Sequence, residues 1–545
     1  METKISLYEA LKNRVKGHEK EESLYYMSHS FSKSHVLSCI NKTAGFLKKN
    51  GVNKNSVVTV CLPNIPEAVY SLYAINQIGA IANIVHPLMK KEQLEKTMEK
   101  CHSNILIMLD QNYLEFKPLL SKGIKFIVAS PVDELPFVYS FMYKKVQKIK
   151  KDLKYKDLAL PKVSSSSLFL FKDILKEKEY LGYEKLCFED AIYLHSGGTT
   201  GESKTIALSS YALNELANQG LWIIDISKDR IPTYHMMAVL PMFHGFGLCM
   251  GIHTLMFNGG VSTIMPKFSS DTVCKYLKKN KINCIIGIPT LYQALLKNKK
   301  FKGKRLKNLH VCFVGGDGGN QKVFDEFNAR MKENGSGAKL FEGYGLTETV
   351  TVSNVNTFRY NKVGTVGVSL PITKTQIIDE NKNVLPPLES GEICISGTTL
   401  MNGYRFGNEE YPIYKDKDGI MWLRTGDLGY LDKDGFLFFK QRIKRLIKVN
   451  GINIYPSDVE KVVQKIKGVK ECAVISLKDE ERGHMVGVYI VGDASAIDVD
   501  ALKDAISREC SIYARPKEVY FVKELPHTLI GKVDYKVLEK RHEHE

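Results

Sequence analysis

The spacing of apolar and polar positions alternates between two periods over the first hundred residues. Apolar residues recur at three- and four-residue spacing over 7–15 and 36–47, which predicts amphipathic helices. Residues 56–62 form a short β-branched run, a further helix is predicted over 66–79, and a small apolar run follows at 80–85. Such alternation is typical of an α/β fold, with mainly parallel sheets covered by helices.

Three later apolar runs are followed by loops, some of them rich in glycine or aromatic residues. Residues 237–241, 283–289 and 310–314 are predicted to be buried strands. Ligands of open α/β sheets bind at the carboxyl ends of strands, so the loops after these runs are candidate binding loops. Residues 363–404 form a β-rich region, and 445–545 show a compact α+β pattern.

One stretch concentrates more chemistry than any other. Residues 193–204 read Y-L-H-S-G-G-T-T-G-E-S-K, and their glycines, hydroxyls and lysine can turn toward one anion. The spacing is neither G-x-x-x-x-G-K-[ST] nor G-x-G-x-x-G, so this is not a Walker A, kinase or Rossmann loop. The predicted phosphate-binding residues are Ser196, Gly197, Gly198, Thr199, Thr200, Gly201 and Lys204.

The order S-G-G-T-T-G-x-S-K resembles the phosphate loop of the adenylate-forming, or AMP-binding, superfamily. That superfamily contains acyl-CoA synthetases, luciferases and peptide-synthetase adenylation domains. Four more motifs resemble the family's in the family's order: P-x-F-H-x-x-G at 241–247, G-Y-G-L-T-E at 343–348, R-T-G-D-L-G at 424–429 and L-P-x-T-x-x-G-K at 525–532. The chain looks most like a stand-alone acyl-CoA synthetase, a ligase of fatty or aryl acids.

The resemblance implies roles for the catalytic residues. Lys532 would bridge the acyl carboxylate and the α-phosphate, Thr347 would contact that phosphate, and His244 would stand at the mouth of the acyl pocket. Glu348 and Ser196 would be ligands of Mg²⁺, which prefers hard oxygen ligands beside nucleotide phosphates.

The adenosine part of ATP is assigned to two further groups of residues. Tyr344 offers a ring for stacking, and the carboxylate of Asp427 can accept from both ribose hydroxyls. The full set is Gly316, Asp317, Glu342, Gly343, Tyr344, Gly345, Asp427 and Arg442. The acyl pocket walls are expected from His244 and its neighbours, 314–318 and 343–351, where glycines leave room for a sizeable acyl group.

A chain of 545 residues is too long for one compact core. The resemblance divides it into an N-terminal AMP-binding domain at 1–443 with a β-rich subdomain, and a small mobile α+β domain at 444–545. Lys444 would be the hinge, and Lys448 and Gly451 would line the tunnel for the thiol. Gln441 stands where many relatives have glycine, which leaves the details of the hinge open.

The implied reaction has two steps. ATP would activate a carboxylic acid to an acyl-adenylate with release of pyrophosphate, and CoA would then take the acyl group. Two alternatives remain: a ligase that loads the phosphopantetheine of a carrier protein, and a non-catalytic protein that binds nucleotides or acyl groups. The intact Lys532, Glu348 and Asp427 argue against the non-catalytic alternative. Oxidative luciferase chemistry uses the same motifs, so these residues do not separate it from the ligase reaction.

The net charge of +17 admits several partners. It would attract ATP and CoA, an acidic carrier protein, or anionic lipid and nucleic acid, and a general lysine bias would produce it too. Residues 138–156 combine an apolar stripe with many lysines, which makes peripheral membrane contact an open alternative to ordinary packing. No nucleic-acid partner is expected.

Cysteine usage and the chain start indicate the compartment. The eleven cysteines include no C-x-x-C pair and no histidine set at zinc spacing, so we interpret them as reduced, mostly buried thiols. The first ten residues are not a signal peptide, and no apolar stretch approaches the roughly 18 residues of a membrane span. The sequence therefore predicts a cytoplasmic protein.

Overall fold

The structure is a computed structural model of the chain. It describes residues 1–136, 138–139, 141–143, 166–196, 203–279, 282–316, 321–407, 411–450, 452–479, 483–528 and 533–542. The predicted basic stripe at 138–156 lies outside the described residues from 144 onward, so the prediction of membrane contact stays a prediction.

The described α-helices occur throughout the chain and are numbered in chain order. They are α1 Leu7–Val15, α2 Lys33–Lys49, α3 Pro66–Gln77, α4 Lys91–Lys100, α5 Tyr113–Phe116, α6 Phe171–Ile174, α7 Ser210–Asn218, α8 Gly220–Ile224, α9 Thr254–Asn258, α10 Ser270–Lys279, α11 Pro289–Lys297, α12 Gln321–Glu333, α13 Pro456–Gln464, α14 Val499–Glu509 and α15 Tyr535–Lys540. A π-helical segment, Phe246–His253, precedes α9.

The described strands are numbered in the same way. They are β1 Glu22–Tyr26, β2 His29–Ser32, β3 Val57–Cys61, β4 Ile81–Ile84, β5 Ile105–Leu109, β6 Lys125–Ala129, β7 Leu168–Leu170, β8 Asp190–His195, β9 Thr205–Ser209, β10 His235–Ala238, β11 Val261–Ile264, β12 Cys284–Gly287, β13 Val311–Val314, β14 Lys339–Tyr344, β15 Asn354–Val355, β16 Val368–Ser369, β17 Thr373–Ile378, β18 Gly391–Gly397, β19 Gly403–Arg405, β20 Ile413–Lys415, β21 Met421–Leu431, β22 Leu437–Arg442, β23 Ile447–Val449, β24 Ile452–Ile454, β25 Val469–Asp479, β26 Gly483–Gly492 and β27 Glu518–Val522.

Two large sheets dominate the part of the chain before residue 406. In the described residues, the eight-stranded sheet has the order β19-β9-β8-β4-β3-β5-β6-β7, and the nine-stranded sheet has the order β16-β15-β14-β13-β12-β10-β11-β1-β2. Pairing is parallel from β8 to β7 and from β14 to β1, and antiparallel at the remaining edges. The predicted α/β alternation with mainly parallel sheets is confirmed.

One hydrophobic core joins both large sheets. It contains residues of β3, β4, β8, β10 and β13 together with α3, whose twelve residues are all buried. Such continuous burial explains why α3 reads as apolar on nearly every face rather than as an amphipathic stripe. The core therefore fixes the strand ends at which the candidate site lies.

The rest of the chain forms smaller units. Strands β17, β18, β21, β20 and β22 make an antiparallel sheet in the predicted β-rich region. Strands β25, β26 and β27 make a mixed sheet, antiparallel between β25 and β26 and parallel between β26 and β27, which packs against α13 and α14. The large α/β part, β-rich part and small α+β part match the predicted fold class. None of the described helices has the length and apolar character needed to cross a bilayer.

Candidate active site

The predicted phosphate loop is the tip of a hairpin. Strands β8 and β9 pair in an antiparallel register that places His195 opposite Thr205. At the base of the loop, the Ser196 N–H donates to the Lys204 carbonyl (3.1 Å), and the Ser203 hydroxyl donates to the Ser196 carbonyl (2.6 Å). Residues 197–202 lie outside the described residues, so the structure gives the closed base of the loop and not its tip.

Lys204 is held by an aromatic ring. Its Nζ lies 4.2 Å from the centre of the Tyr404 ring, a cation–π contact, and the Tyr404 hydroxyl donates to Oε1 of Glu348 (3.0 Å). This chain of contacts brings the lysine of the phosphate loop beside the carboxylate predicted to bind Mg²⁺. The ring is neutral, so it positions Lys204 without neutralising the charge that a phosphate needs.

Tyr404 is a residue that the sequence analysis missed. Strand β19 pairs with β9 and places Tyr404 opposite Ile206. The next residue, Arg405, fixes this strand, because its guanidinium makes two hydrogen bonds to the Asp190 carboxylate at 2.7 and 2.8 Å. The only local signal was a tyrosine in an otherwise ordinary M-N-G-Y-R stretch, because the contact depends on pairing between distant strands.

A buried polar chain supports the other side of the hairpin base. Asn83 donates its amide N–H to Thr59 Oγ1 (3.0 Å), so its oxygen accepts from Nε2 of His195 (2.6 Å). The Thr59 hydroxyl in turn donates to the Ser103 hydroxyl (2.8 Å). Burial lowers the pKa of His195 to about 4. His195 is therefore a neutral structural link across β8, β4 and β3, immediately before the phosphate loop.

The glycines predicted to lie beside adenine follow β13 and β14, which end side by side. A Cβ on Gly315 would lie 3.2 Å from the Gly343 carbonyl oxygen, and a Cβ on Gly345 would lie 1.5 Å from the Thr351 carbonyl oxygen. Gly316 has φ of +86°. Side chains at these positions would clash or strain the backbone, so the glycines allow the two loops to approach each other closely.

The loop that carries His244 packs directly on the motif that carries Thr347 and Glu348. A Cβ on Gly245 would lie 2.0 Å from the carbonyl oxygen of Val350, which follows the short helical turn Thr347–Thr349. Val350 is fully buried and has φ of +65°, an unusual conformation for a β-branched residue. Strained backbone of this kind is found at binding and catalytic sites.

The predicted ribose site is a tight cluster around one buried carboxylate. Asp427 is 2% exposed; its Oδ2 accepts from the Tyr344 hydroxyl (2.7 Å), and its Oδ1 lies 3.4 Å from Nε of Arg442. Strands β21 and β22 pair in the register that places Asp427 opposite Arg442. Burial and the charge of Asp427 raise the pKa of Tyr344 well above its usual value, so its hydroxyl remains a donor.

The predicted hinge lies in a short turn, Ile443–Arg445, between β22 and β23. Arg445 stacks on the Tyr535 ring at 3.7 Å and donates to Oε1 of Glu460 (2.7 Å). Burial raises the pKa of Glu460, although Arg445 opposes the shift. Lys444 lies between β22 and Arg445, and it is exposed.

Gln441 links the sheet before the predicted hinge to the helix after it. Its amide oxygen lies 3.4 Å from both the backbone nitrogen and the hydroxyl of Ser457, at the start of α13. A glycine at this position would have no such contact. The departure at Gln441 therefore adds a polar link across the hinge.

The structure brings five of the predicted site residues into two groups of contacts. Lys204 and Glu348 are linked by Tyr404, and Tyr344 and Arg442 meet at Asp427. Lys448 is exposed and lies on β23, opposite Asn453 of β24. Gly197, Gly198, Thr199, Thr200, Gly201, Asp317, Gly451 and Lys532 lie outside the described residues.

Comparison with known proteins gives the family. Residues 11–405 match the model of the AMP-binding enzyme, and residues 458–532 match the model of the AMP-binding enzyme C-terminal domain. A long-chain-fatty-acid--CoA ligase of Bacillus subtilis is 31% identical over 91% of this chain and 88% of its own length. The 4-coumarate--CoA ligase 1 of Arabidopsis thaliana is 27% identical over 93% and 86%.

The fold is that of solved enzymes with the same layout. The crystal structure of ATP-bound MatB from Rhodopseudomonas palustris superimposes with a TM-score of 0.84 over 99% of both chains, at 21% identity. The resemblance inferred from the five motifs is confirmed by the two family matches. The chain belongs to the AMP-binding enzyme family.

Proposed function

We propose that this protein is a long-chain fatty acid ligase that uses the two groups around Lys204 and Asp427 to hold ATP. The chain is an AMP-forming acid–thiol ligase. In the first step, a carboxylate oxygen bonds to the α-phosphorus of ATP and pyrophosphate leaves, giving an acyl-adenylate. In the second, the thiol sulfur of CoA attacks the acyl carbon and AMP leaves, and the thiol proton is lost to solvent or base.

The contact that carries the assignment of ATP is the Lys204–Tyr404–Glu348 chain. Lys204 would place its positive charge beside the phosphates. Tyr404, which contacts both Lys204 and Glu348, would set the distance between these two side chains. Glu348 and Ser196 would hold Mg²⁺; a half-buried carboxylate oxygen and a hydroxyl are the hard donors that this ion prefers. When bound, Mg²⁺ offsets the negative charge that gathers on the phosphate oxygens.

The second group would hold the nucleoside. Asp427 would accept hydrogen bonds from the ribose hydroxyls, while the Tyr344 hydroxyl and Arg442 keep its carboxylate oriented. Gly316, Gly343 and Gly345 would leave space for the adenine ring beside Tyr344. Thr347 would contact the α-phosphate between the two groups.

The small domain would supply the remaining parts. Lys532 would bridge the carboxylate and the α-phosphate in the first step, where added positive charge stabilises the transition state. Rotation at Lys444 would then withdraw Lys532 and bring Lys448 and Gly451 to the site for the thiol step. His527 and Val533, on either side of the segment that contains Lys532, form an antiparallel β-bridge, and Lys532 itself lies outside the described residues.

The acid is assigned from the relatives and the acyl-side loop. The identity to the fatty acid ligase exceeds that to the coumarate ligase, 31% against 27%. The segment after His244, Phe246–His253, is buried throughout, as the wall of an apolar pocket would be. A π-helical segment of this kind often marks a functional site.

The test is pyrophosphate release from ATP and Mg²⁺ with saturated acids of increasing length and with aromatic acids, with and without CoA. We expect release to need an acid, to be fastest with long-chain acids, and to turn over repeatedly only with CoA. Lys532→Ala should abolish it, whereas Lys540→Ala, at the end of α15, should not.

Other outcomes point to specific alternatives. Fastest turnover with aromatic acids would replace the fatty acid assignment while preserving the reaction. Acid-dependent release without thioester formation from CoA would indicate a carrier-protein phosphopantetheine as the acceptor. No release with any acid would overturn the catalytic assignment and favour a binding protein.

A further inference from the structure

Three side chains able to bind a metal converge at the start of α2, remote in sequence from every motif of the nucleotide site. His35 and Cys39 lie one helical turn apart on α2, and Glu134 follows β6. Nε2 of His35 lies 2.6 Å from Oε2 of Glu134, and Sγ of Cys39 lies 3.5 Å from His35 Nε2 and 3.9 Å from Glu134 Oε2. Within the described residues, this is the single group of three such ligands whose atoms lie within 4.8 Å of one another.

These distances are close to those of a tetrahedral zinc site. Zinc bonds of about 2.0–2.3 Å to nitrogen, oxygen and sulfur place neighbouring ligand atoms roughly 3.3–3.6 Å apart. The two distances from Cys39 lie near this range. The His35–Glu134 pair would have to open by about 0.7 Å, a movement that the half-exposed His35 side chain can make.

Burial and hydrogen bonding favour an organised site. Cys39 is 3% exposed and Glu134 is mostly buried, whereas His35 faces solvent, so one side remains open to water. The Tyr70 hydroxyl donates to Oε2 of Glu134 (3.0 Å) and orients the carboxylate. Hydrogen bonds to ligating groups of this kind strengthen metal binding 10- to 100-fold in typical sites.

We propose that His35, Cys39 and Glu134 bind a zinc ion, with water as the fourth ligand. Nitrogen, sulfur and oxygen donors together suit zinc and do not suit Mg²⁺, so this site is distinct from the one at Glu348. A bound ion would tie α2 to the segment after β6, which also contacts β1 through the hydrogen bond from the Tyr26 hydroxyl to the Pro131 carbonyl. Its role would be structural.

The sequence shows no zinc pattern because two of the three ligands are close in sequence and the third is distant. His35 and Cys39 are four residues apart, but Glu134 follows Cys39 by 95 residues. Only the packing of α2 beside the end of β6 makes a three-ligand group.

The proposal is tested by titrating the purified, metal-free, full-length protein with Co²⁺ in the absence of ATP. We expect one Co²⁺ per chain, with a thiolate-to-cobalt charge-transfer band, and displacement of Co²⁺ by one equivalent of Zn²⁺. Cys39→Ser should remove the band. His35→Gln and Glu134→Gln should weaken binding at least 10-fold, and Tyr70→Phe about 10-fold.

A matched control is the exposed pair of His18 and Glu21, whose Nδ1 and Oε1 atoms are 2.7 Å apart. His18→Gln should leave Co²⁺ affinity and the absorption band unchanged. Binding without the charge-transfer band, or binding that Cys39→Ser leaves unchanged, would overturn the proposal and reduce the group to an ordinary ion pair beside a thiol. Circular dichroism of each variant checks folding, and His35→Gln alone suffices if Cys39→Ser does not fold.

Discussion

The two halves of the proposed ATP site handle charge in opposite ways. In the phosphate half, the cation Lys204 lies against the neutral ring of Tyr404, and the neutral His195 supports the base of the hairpin. In the ribose half, the anion Asp427 is buried and contacted by both a hydroxyl and a guanidinium. The phosphate half thus leaves its charge for the ligand, whereas the ribose half surrounds its charge with hydrogen-bond donors of the protein.

The largest expected effect is in the phosphate half. Lys204→Ala should lower the rate of acid-dependent pyrophosphate release by about 10²–10³-fold, the usual cost of removing one donor that stabilises transition-state charge. Lys204→Arg should recover part of the loss. Lys332→Ala on the exposed face of α12 is the control, and a loss of under ~10-fold for Lys204→Ala would remove this residue from the phosphate site.

In the ribose half, substitution of Asp427 should impair the reaction less than loss of Lys204. Asp427→Asn keeps the shape and still accepts from Tyr344, but it loses a charged acceptor worth about 1.5–3 kcal/mol, so KM for ATP should rise roughly 10- to 150-fold. The exposed Asp434→Asn is the control.

Replacing ATP by 2′-deoxy-ATP sharpens this prediction. If Asp427 binds the ribose hydroxyls, the deoxy substrate should be penalised in the wild type and much less in Asp427→Asn. Equal penalties in both proteins would show that Asp427 acts only through Tyr344 and Arg442.

Tyr404 separates the ring contact from the hydroxyl contact. Tyr404→Phe keeps the ring beneath Lys204 and loses the hydrogen bond to Glu348, so pyrophosphate release should fall about 2- to 10-fold. Tyr404→Leu loses both and should fall further. Equal activity of the Phe and Leu variants would contradict a positioning role for the ring.

The smallest effect concerns pH and the neutral support of the phosphate half. Because the pKa of His195 is about 4 in the folded protein and near 6.5 in an unfolded chain, the unfolded state binds more protons between these values. Its contribution to stability is complete above about pH 6.5 and is lost as the pH falls toward 4.

Urea unfolding between pH 4.5 and 7.5 measures this contribution. The free energy of unfolding should fall less steeply on acidification in His195→Gln than in the wild type. A buried His253, whose pKa burial lowers to about 3, provides a background that both proteins share. Identical slopes in the two proteins would mean that His195 does not titrate differently on unfolding.

The sequence predicted what is local and missed what depends on pairing between distant strands. The strands predicted at 237–241, 283–289 and 310–314 agree with β10, β12 and β13 to within a few residues, because a buried parallel strand is a continuous apolar run bounded by turn residues. The loops that carry His244 and Gly316 were found in the same way, since each follows one of these strands.

Tyr404 and Asn83 were missed for a common reason. Tyr404 reaches Lys204 because β19 pairs with β9, and Asn83 reaches His195 because β4 pairs with β8. Neither register can be read from spacing along the chain, because it is set by the packing of whole sheets. The link between Gln441 and Ser457 was likewise invisible, although the unusual Gln441 itself was noticed.

The contacts on either side of Lys444 would limit the proposed movement of the small domain. Arg442 is tied to Asp427 on one side, and Arg445 is tied to Glu460 and Tyr535 on the other, which leaves Ile443 and Lys444 between them. Because this link is only two residues long, any reorientation of the small domain would be a rotation set by the φ and ψ angles of Ile443 and Lys444. A longer link would allow many more relative orientations. The rotation proposed between the two steps of the reaction would therefore pass through these two residues in every turnover.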